Sequence, residues 1–342
     1  MTQTFANQLD TPKKLAEKPL EWREYDAPQP GPGQVLIEVV ACGVCRSNLH
    51  VVEGDWVEGG VPAISPIVPG HEVTGRISAL GEGVSDFSVG DAVGVQPLWW
   101  TCEKCEFCTS DREQLCHQRL ITGEHVDGGY GEVLLANAAH TYHVPEELDL
   151  VEAAPLFCPG ITGFGAVSKL DVGPGDRVGV FGLGGVGHAA LQFALLTGAT
   201  IVAVARSADH LAVAQELGAH ELVDASKVDP GEVLEDSLDA VLTFAPSDTV
   251  TAQAFRSLKW GGTLVHGVPI SLSEFHFNKG QVIKASLLGN RKQMNEVLQL
   301  AAEGKIRSVV DRFPMSEAAT ALGLLSDGKL RSRAVLENVH AE

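Results

Sequence analysis

The sequence predicts an α/β protein whose first half is mostly β and whose second half is a doubly wound parallel sheet. Three observations carry this. From about residue 151 onward, short apolar strand-like runs alternate with Ala- and Leu-rich helical ones, at 177–181, 189–197, 200–205, 210–217, 240–244 and 263–268, the order expected of β-α-β units with parallel strands. The run 177–181 feeds directly into Gly182-Leu183-Gly184-Gly185-Val186-Gly187, which opens an apolar helix, the context that a GxGxxG match requires. Before residue 151, short apolar runs separated by glycines begin at 35–40, after the turn-forming Pro28-Gln29-Pro30-Gly31-Pro32-Gly33, and continue to about residue 144; they read as strands joined by loops that carry the unusual residues.

A length of 342 residues exceeds one ordinary hydrophobic core, so two domains are expected. After Leu288 come a helix at 293–303, a strand at 309–313, a helix at 316–325 and a strand at 333–336. With 44% hydrophobic and 20% charged residues, the composition is that of an ordinary globular protein, and no apolar run is long enough to cross a bilayer. The first 20 residues mix Asp10, Lys13, Lys14, Glu17 and Lys18 with polar residues and lack the apolar core of a signal peptide, so the expected location is cytoplasmic. Lysine plus arginine is 25 against 44 aspartate plus glutamate, a formal net charge of −19. That charge repels nucleic acid and anionic lipid and argues against both as partners.

In the glycine loop, Gly182 permits the tight turn, Gly184 lets backbone approach a pyrophosphate, and Gly187 lets helix and strand pack closely, with Gly185 and Val186 between them. The phosphate charge then faces a helix N-terminus. The following strand, 200–205, ends without the acidic residue expected to hold the ribose 2′-hydroxyl of NAD; Ala205, Arg206 and Ser207 stand there. An arginine with an adjacent hydroxyl pairs with a 2′-phosphate that a carboxylate would repel, so NADP(H) is favoured over NAD(H).

Seven cysteines, an odd number gathered in the first half, do not form the pattern of an extracellular disulfide framework. Cys102, Cys105, Cys108 and Cys116 follow C-x2-C-x2-C-x7-C on one loop. Four thiolates closing a tetrahedral shell leave no vacancy for substrate and give folding energy to a loop with little apolar material, so a structural zinc is expected. A DNA-reading module is disfavoured, because no recognition helix follows and the chain is acidic. Three further segments carry metal-binding residue types: Cys45 in Cys42-Gly43-Val44-Cys45-Arg46-Ser47-Asn48-Leu49-His50, His71 in Pro69-Gly70-His71-Glu72, and Cys158 in Phe157-Cys158-Pro159-Gly160-Ile161-Thr162-Gly163. Taken singly, such a residue is more often a packed core side chain than a ligand.

Together, from about Glu21 to Leu336 and in the same order along the chain, these segments resemble the zinc-containing alcohol dehydrogenases of the medium-chain dehydrogenase/reductase family. The resemblance implies a GroES-like, mostly β catalytic domain from 1–157 and 294–342, with a Rossmann dinucleotide-binding domain at 158–293 between them. It implies a second, catalytic zinc on Cys45, His71 and Cys158 with one open position, hence two zinc ions per chain, while Cys42 matches no ligand. Ser47 would contact the zinc-bound oxygen and pass its proton through the cofactor ribose to His50, which exchanges with solvent. Glu72 would sit behind the zinc, Arg46 and Arg333 would hold the pyrophosphate, and Thr162 and Val186 would flank the nicotinamide. Trp56, Leu98 and Trp99 would line an alcohol channel suited to primary aliphatic or aromatic substrates. Asn48 stands where the family usually has an aspartate that orients the histidine ligand. A homo-oligomer, tetramer or dimer, is also implied. The activity expected is reversible hydride transfer between a small alcohol or aldehyde and NAD(P)(H). Two rivals remain on this reading: a zinc-free quinone or enone reductase, which would not need Cys45, His71 and Cys158 together, and a non-catalytic cofactor-binding protein, because a fold does not dictate activity.

Overall fold

Residues Gln34–Gly43 are rich in Val, Leu and Ile and follow Gly33, whose φ of +71° makes the preceding turn. In the computed structural model, which describes residues 3–272 and 275–338, they form the longest strand of an open sheet. Val73–Leu80 pairs along one edge. The other edge is shared, with Val133–Asn137 along the first half and Arg333–Glu337 at the last residues. Register shifts at Leu36/Ile37 and Val39/Ala41 mark bulges, which bend a strand and increase its twist. Ala92–Val95 and Thr141–His143 extend the sheet beyond Val73–Leu80, and Val310–Pro314 lies parallel to Arg333–Glu337. The core beneath combines Val35, Ile37 and Val39 with Leu49, Val51 and Val52 of the helix Arg46–Glu53 and Ala318, Ala321 and Leu322 of the helix Ala318–Ser326.

The helix Arg46–Glu53 corrects the expectation that loops carry this segment. Its N-terminus is capped by Cys45, in extended conformation, whose sulfur accepts the Asn48 backbone N–H while the Asn48 side chain accepts the Cys45 N–H. This is a reciprocal box of the kind usually built from Ser or Thr with Glu or Gln, so no ordinary start signal marks it. Gly54, at φ +80°, ends the helix. Arg46, Ser47 and His50 are thereby spaced around a helix rather than strung along a loop.

In the second half, six strands among the described residues pair in the order Glu221–Asp224, Thr200–Ala205, Arg177–Phe181, Leu238–Thr243, Leu258–His266 and Val282–Ala285, every pair parallel. In chain order that is 3-2-1-4-5-6, the doubly wound Rossmann arrangement. Val202, Val204, Val241 and Leu264 lie in its core with Phe255 of the helix Asp248–Arg256. The helices Gly185–Leu195 and Ala208–Glu216 provide the crossovers beside the first three strands.

The described residues fall into two compact units: 3–158 with 294–302 and 310–338, and 159–272 with 275–293 and 303–309. Cys158 thus belongs with the first unit, and the segment Glu303–Val309 with the second. Among the described residues no single helix is long and apolar enough to cross a membrane.

Phe157 is fully buried beside Gly94, where an added Cβ would come within 2.0 Å of the Phe157 ring. Gly94→Ala must therefore displace that ring, and should cost about 1–3 kcal/mol of stability by overpacking, read as a lower denaturation midpoint in urea. An unchanged midpoint would mean the ring moves freely.

A candidate metal centre and a glycine loop

Strand pairing gathers the chemistry of the first unit. Gly43 N–H donates to Glu72 O at 3.0 Å, and Val44 N–H donates to Ala334 O at 2.9 Å. The end of the long strand is therefore held on both sides, which sets Cys45, His71, Glu72 and Arg333 side by side. Only glycine fits at 43, because a Cβ there would lie 1.9 Å from Glu72 Oε2. Cys158 enters from the 3₁₀ turn Ala154–Phe157.

Ligand atoms of Cys45, His71, Glu72 and Cys158 all lie within 4.8 Å of one another. The two sulfurs, Cys45 Sγ and Cys158 Sγ, are 3.8 Å apart. That is far beyond a disulfide bond of about 2.05 Å, and it matches the edge of a tetrahedron with Zn–S bonds of about 2.3 Å, which is roughly 3.8 Å. His71 is buried, with Nδ1 turned to the Asn48 amide at 3.4 Å and Nε2 3.4 Å from Ser47 Oγ. Nε2 is thus the ring nitrogen open to a metal, and the sulfur and nitrogen donors suit zinc. The Cys45 thiol is held well below its usual range, first because the Cys158 S–H donates to it, with the Arg333 charge adding to the effect. Cys158 is correspondingly raised, by Cys45 first and then by burial.

Behind the cluster lies a buried ion pair. Arg333 Nε donates to Glu72 Oε2 at 3.1 Å and Arg333 Nη2 to Glu72 Oε1, with Glu72 0% and Arg333 5% exposed. Burial pushes the Glu72 carboxyl upward against the pull of Arg333. The sequence expectation put Arg333 on a pyrophosphate. Its guanidinium meets Glu72, because the strand Arg333–Glu337 aligns with Gly43 and brings it onto a carboxylate that has no solvent to turn to. Arg46 is exposed, with Nη2 3.4 Å from Leu325 O.

Two residues escaped the sequence reading. Tyr130, fully buried, donates its hydroxyl hydrogen to Asn48 Oδ1 at 3.1 Å. Asp55 accepts from His50 Nδ1 at 2.7 Å, and the His50 ring lies 5.1 Å from that of Trp56. No local sequence pattern marks Tyr130, whose ring packs against Gly70, where a Cβ would come within 2.4 Å of it. Of the expected channel residues, Trp56 is 36% exposed, Leu98 is fully buried, and Trp99 donates its ring N–H to Leu135 O at 3.0 Å.

The four-cysteine lobe rises from the paired strands Leu98–Trp100 and Leu120–Ile121 and is built of two 3₁₀ turns, Cys108–Ser110 and Glu113–Leu115. Its four sulfurs lie within 4.8 Å of one another, with Cys102–Cys108 at 3.9 Å and Cys105–Cys108 at 3.5 Å, again tetrahedral edges. The backbone N–H groups of Lys104 and Cys105 lower Cys102 to about 6, and burial raises Cys108 to about 12. Cys42 is in neither cluster among the described residues; it is buried against Gly70.

In the second unit, Gly182 has φ +90°, Gly184 faces open space, and a Cβ on Gly187 would lie 2.0 Å from Gly182 O. The helix Gly185–Leu195 starts there, with Val186 half-buried in its first turn. Arg206 is exposed at the end of Thr200–Ala205, and Ser207 caps the helix Ala208–Glu216, its Oγ accepting the His210 N–H. Thr162 is half-buried on the helix Pro159–Val167.

Residues 31–146 match the family described as alcohol dehydrogenase GroES-like domain, and residues 185–303 the family described as zinc-binding dehydrogenase. The chain is 37% identical over 327 residues to an alcohol dehydrogenase of Moraxella sp. (strain TAE123), covering 93% of this chain and 96% of the relative. To an alcohol dehydrogenase of Geobacillus stearothermophilus it is 36% identical over 330 residues, 94% of this chain and 96% of the relative. The crystal structure of the alcohol dehydrogenase from the hyperthermophilic archaeon Aeropyrum pernix matches with a TM-score of 0.89 at 29% identity, over 97% of this chain and 99% of that one. A GroES-like unit and a Rossmann unit of these proportions define a dehydrogenase of the zinc type. The chain belongs to the zinc-containing alcohol dehydrogenases of the medium-chain dehydrogenase/reductase family.

Removing one partner of the buried pair strands the other. Arg333→Met should destabilise the protein by about 3–5 kcal/mol, whereas Arg333→Lys, which keeps the charge, should cost less. Urea unfolding of both variants checks the order, and equal losses would contradict the role given to the charge.

Proposed function

We propose that the protein is a zinc-dependent alcohol dehydrogenase and aldehyde reductase, transferring hydride reversibly between a primary aliphatic or aromatic alcohol and NADP(H). The observation that carries this reading is the cluster of Cys45, His71 and Cys158, with a sulfur–sulfur separation of 3.8 Å and a hydroxyl, Ser47, at its edge. It also disfavours the zinc-free quinone or enone reductase, which has no use for three such donors in one place.

Cys45, His71 and Cys158 hold a catalytic zinc, and Cys102, Cys105, Cys108 and Cys116 a structural one. Bound at the first site, zinc acts as a Lewis acid that makes an alcohol hydroxyl easier to deprotonate and a carbonyl easier to reduce. Ser47 would take up the hydroxyl proton while releasing its own towards His50, so that the serine stays neutral. His50, oriented by Asp55 and with a 35% exposed side chain, hands it on to solvent. Glu72, neutralised by Arg333, backs the metal without adding net charge. Trp56, Leu98 and Trp99 supply apolar walls for the substrate.

Gly182, Gly184, Gly185, Val186 and Gly187 cradle the pyrophosphate at the start of their helix, assisted by Arg46, and Thr162 and Val186 orient the nicotinamide. Arg206 and Ser207 receive the 2′-phosphate, because the strand end carries a cation where NAD-specific loops carry a carboxylate. Arg333 joins the phosphate contacts only by leaving Glu72. Copies of the chain assemble into a dimer or tetramer.

Metal analysis should give about two zinc ions per chain, and a panel of alcohols and aldehydes with both cofactors should show turnover with NADPH favoured. Arg206→Ala removes a charge-assisted contact of about 1.5–3 kcal/mol, so KM for NADPH should rise roughly tenfold to a hundredfold while KM for NADH stays nearly constant. No turnover with either cofactor would support a binding protein instead, and a native preference for NADH would overturn the assignment of Arg206.

A further inference from the structure

Asn48 is completely buried, and its amide is oriented by its neighbours. Which end of an amide is oxygen is ordinarily inferred from its hydrogen bonds. Here the Cys45 backbone N–H, a group that can only donate, points at Oδ1 from 3.2 Å, and the Tyr130 hydroxyl donates to the same oxygen at 3.1 Å. The NH₂ end is therefore the one that faces His71 Nδ1, at 3.4 Å.

That arrangement asks His71 for a lone pair at Nδ1. A neutral imidazole carries one ring hydrogen, so the hydrogen then resides on Nε2, the nitrogen on the thiol side. Ligation through Nε2 requires the opposite tautomer, with its hydrogen on Nδ1, pointing straight at the amide N–H. Donor then faces donor. Turning the amide over removes that conflict but takes the acceptor away from the Cys45 N–H, which starts the helix Arg46–Glu53 and belongs to a ligand itself. A carboxylate at this position would satisfy all three donors, one oxygen for Cys45 and Tyr130 and the other for His71.

We infer that Asn48 is a positioning residue that opposes the metal-binding tautomer of His71, and so makes the Cys45/His71/Cys158 site bind zinc more weakly and release it more readily than the same site with a carboxylate at 48. The inference rests on reading that cluster as a metal site. The four-cysteine lobe has no such partner in its ligand set and serves as an internal reference.

The test is zinc affinity measured by chelator competition on the full-length protein and on Asn48→Asp. Partners that orient a metal-binding histidine are worth about 10- to 100-fold in affinity, so Asn48→Asp should tighten the weaker site by that factor and leave the stronger site unchanged. Cobalt substitution, read by its thiolate charge-transfer and d–d bands, assigns each site. Should Asn48→Asp fail to fold, the wild-type protein decides. With ¹⁵N-histidine labelling and the weaker site stripped of metal, the His71 resonance, assigned by its loss in His71→Gln, should report hydrogen on Nε2. Equal or weaker zinc binding by Asn48→Asp, or hydrogen on Nδ1 in the stripped wild type, overturns the proposal. If the full-length protein and Asn48→Asp both bind zinc only at the four-cysteine lobe, the metal-site reading itself falls, and the proposal with it.

Discussion

Everything at the candidate centre depends on one constraint: the last residues of the strand Gln34–Gly43 are hydrogen-bonded on both edges. Val73–Leu80 lies on one side and Arg333–Glu337 on the other, with Cys42 opposite Val73 and Leu336. Two chain segments 261 residues apart, at Glu72 and Arg333, are thereby fixed against one another. Cys45 and His71 lie at the ends of strands whose far parts are buried in the sheet core, so their separation is set by the strand pairing.

Much of this was legible in the sequence. The glycine loop could be read because its requirements are local: a strand before, a helix after, and glycines where a Cβ would strike the backbone, as at Gly187 against Gly182 O. The clustering of the four cysteines was legible for the same reason, because they lie on one short loop. The centre at Cys45, His71 and Cys158 was different. No spacing rule joins those positions, and only the likeness of whole segments to a family connected them.

What the sequence does not show follows a pattern too. The helix Arg46–Glu53 reads as loop from sequence because its cap is a cysteine and it contains polar residues and two adjacent valines, all weak helix signals. For Arg333 the sequence offers only a cation in an acidic chain, which suggests an anionic ligand, whereas its contact with Glu72 is invisible until two distant strands are aligned. Tyr130 and Asp55 went unnoticed because each acts on a side chain rather than on a ligand, and such supporting contacts have no sequence signature.

The pairing of Glu72 with Arg333 bears on the charge that an ion at the proposed metal site would meet. The carboxylate and the guanidinium cancel one another in a space closed to water, so the negative charge available to an incoming ion is that of Cys45 and Cys158 alone. A divalent cation is balanced by two thiolates. A monovalent ion would leave a buried negative charge behind, and a trivalent one a buried positive charge, each expensive where solvent cannot compensate. On the metal-site reading proposed above, the ion pair would thus favour a divalent ion through charge balance.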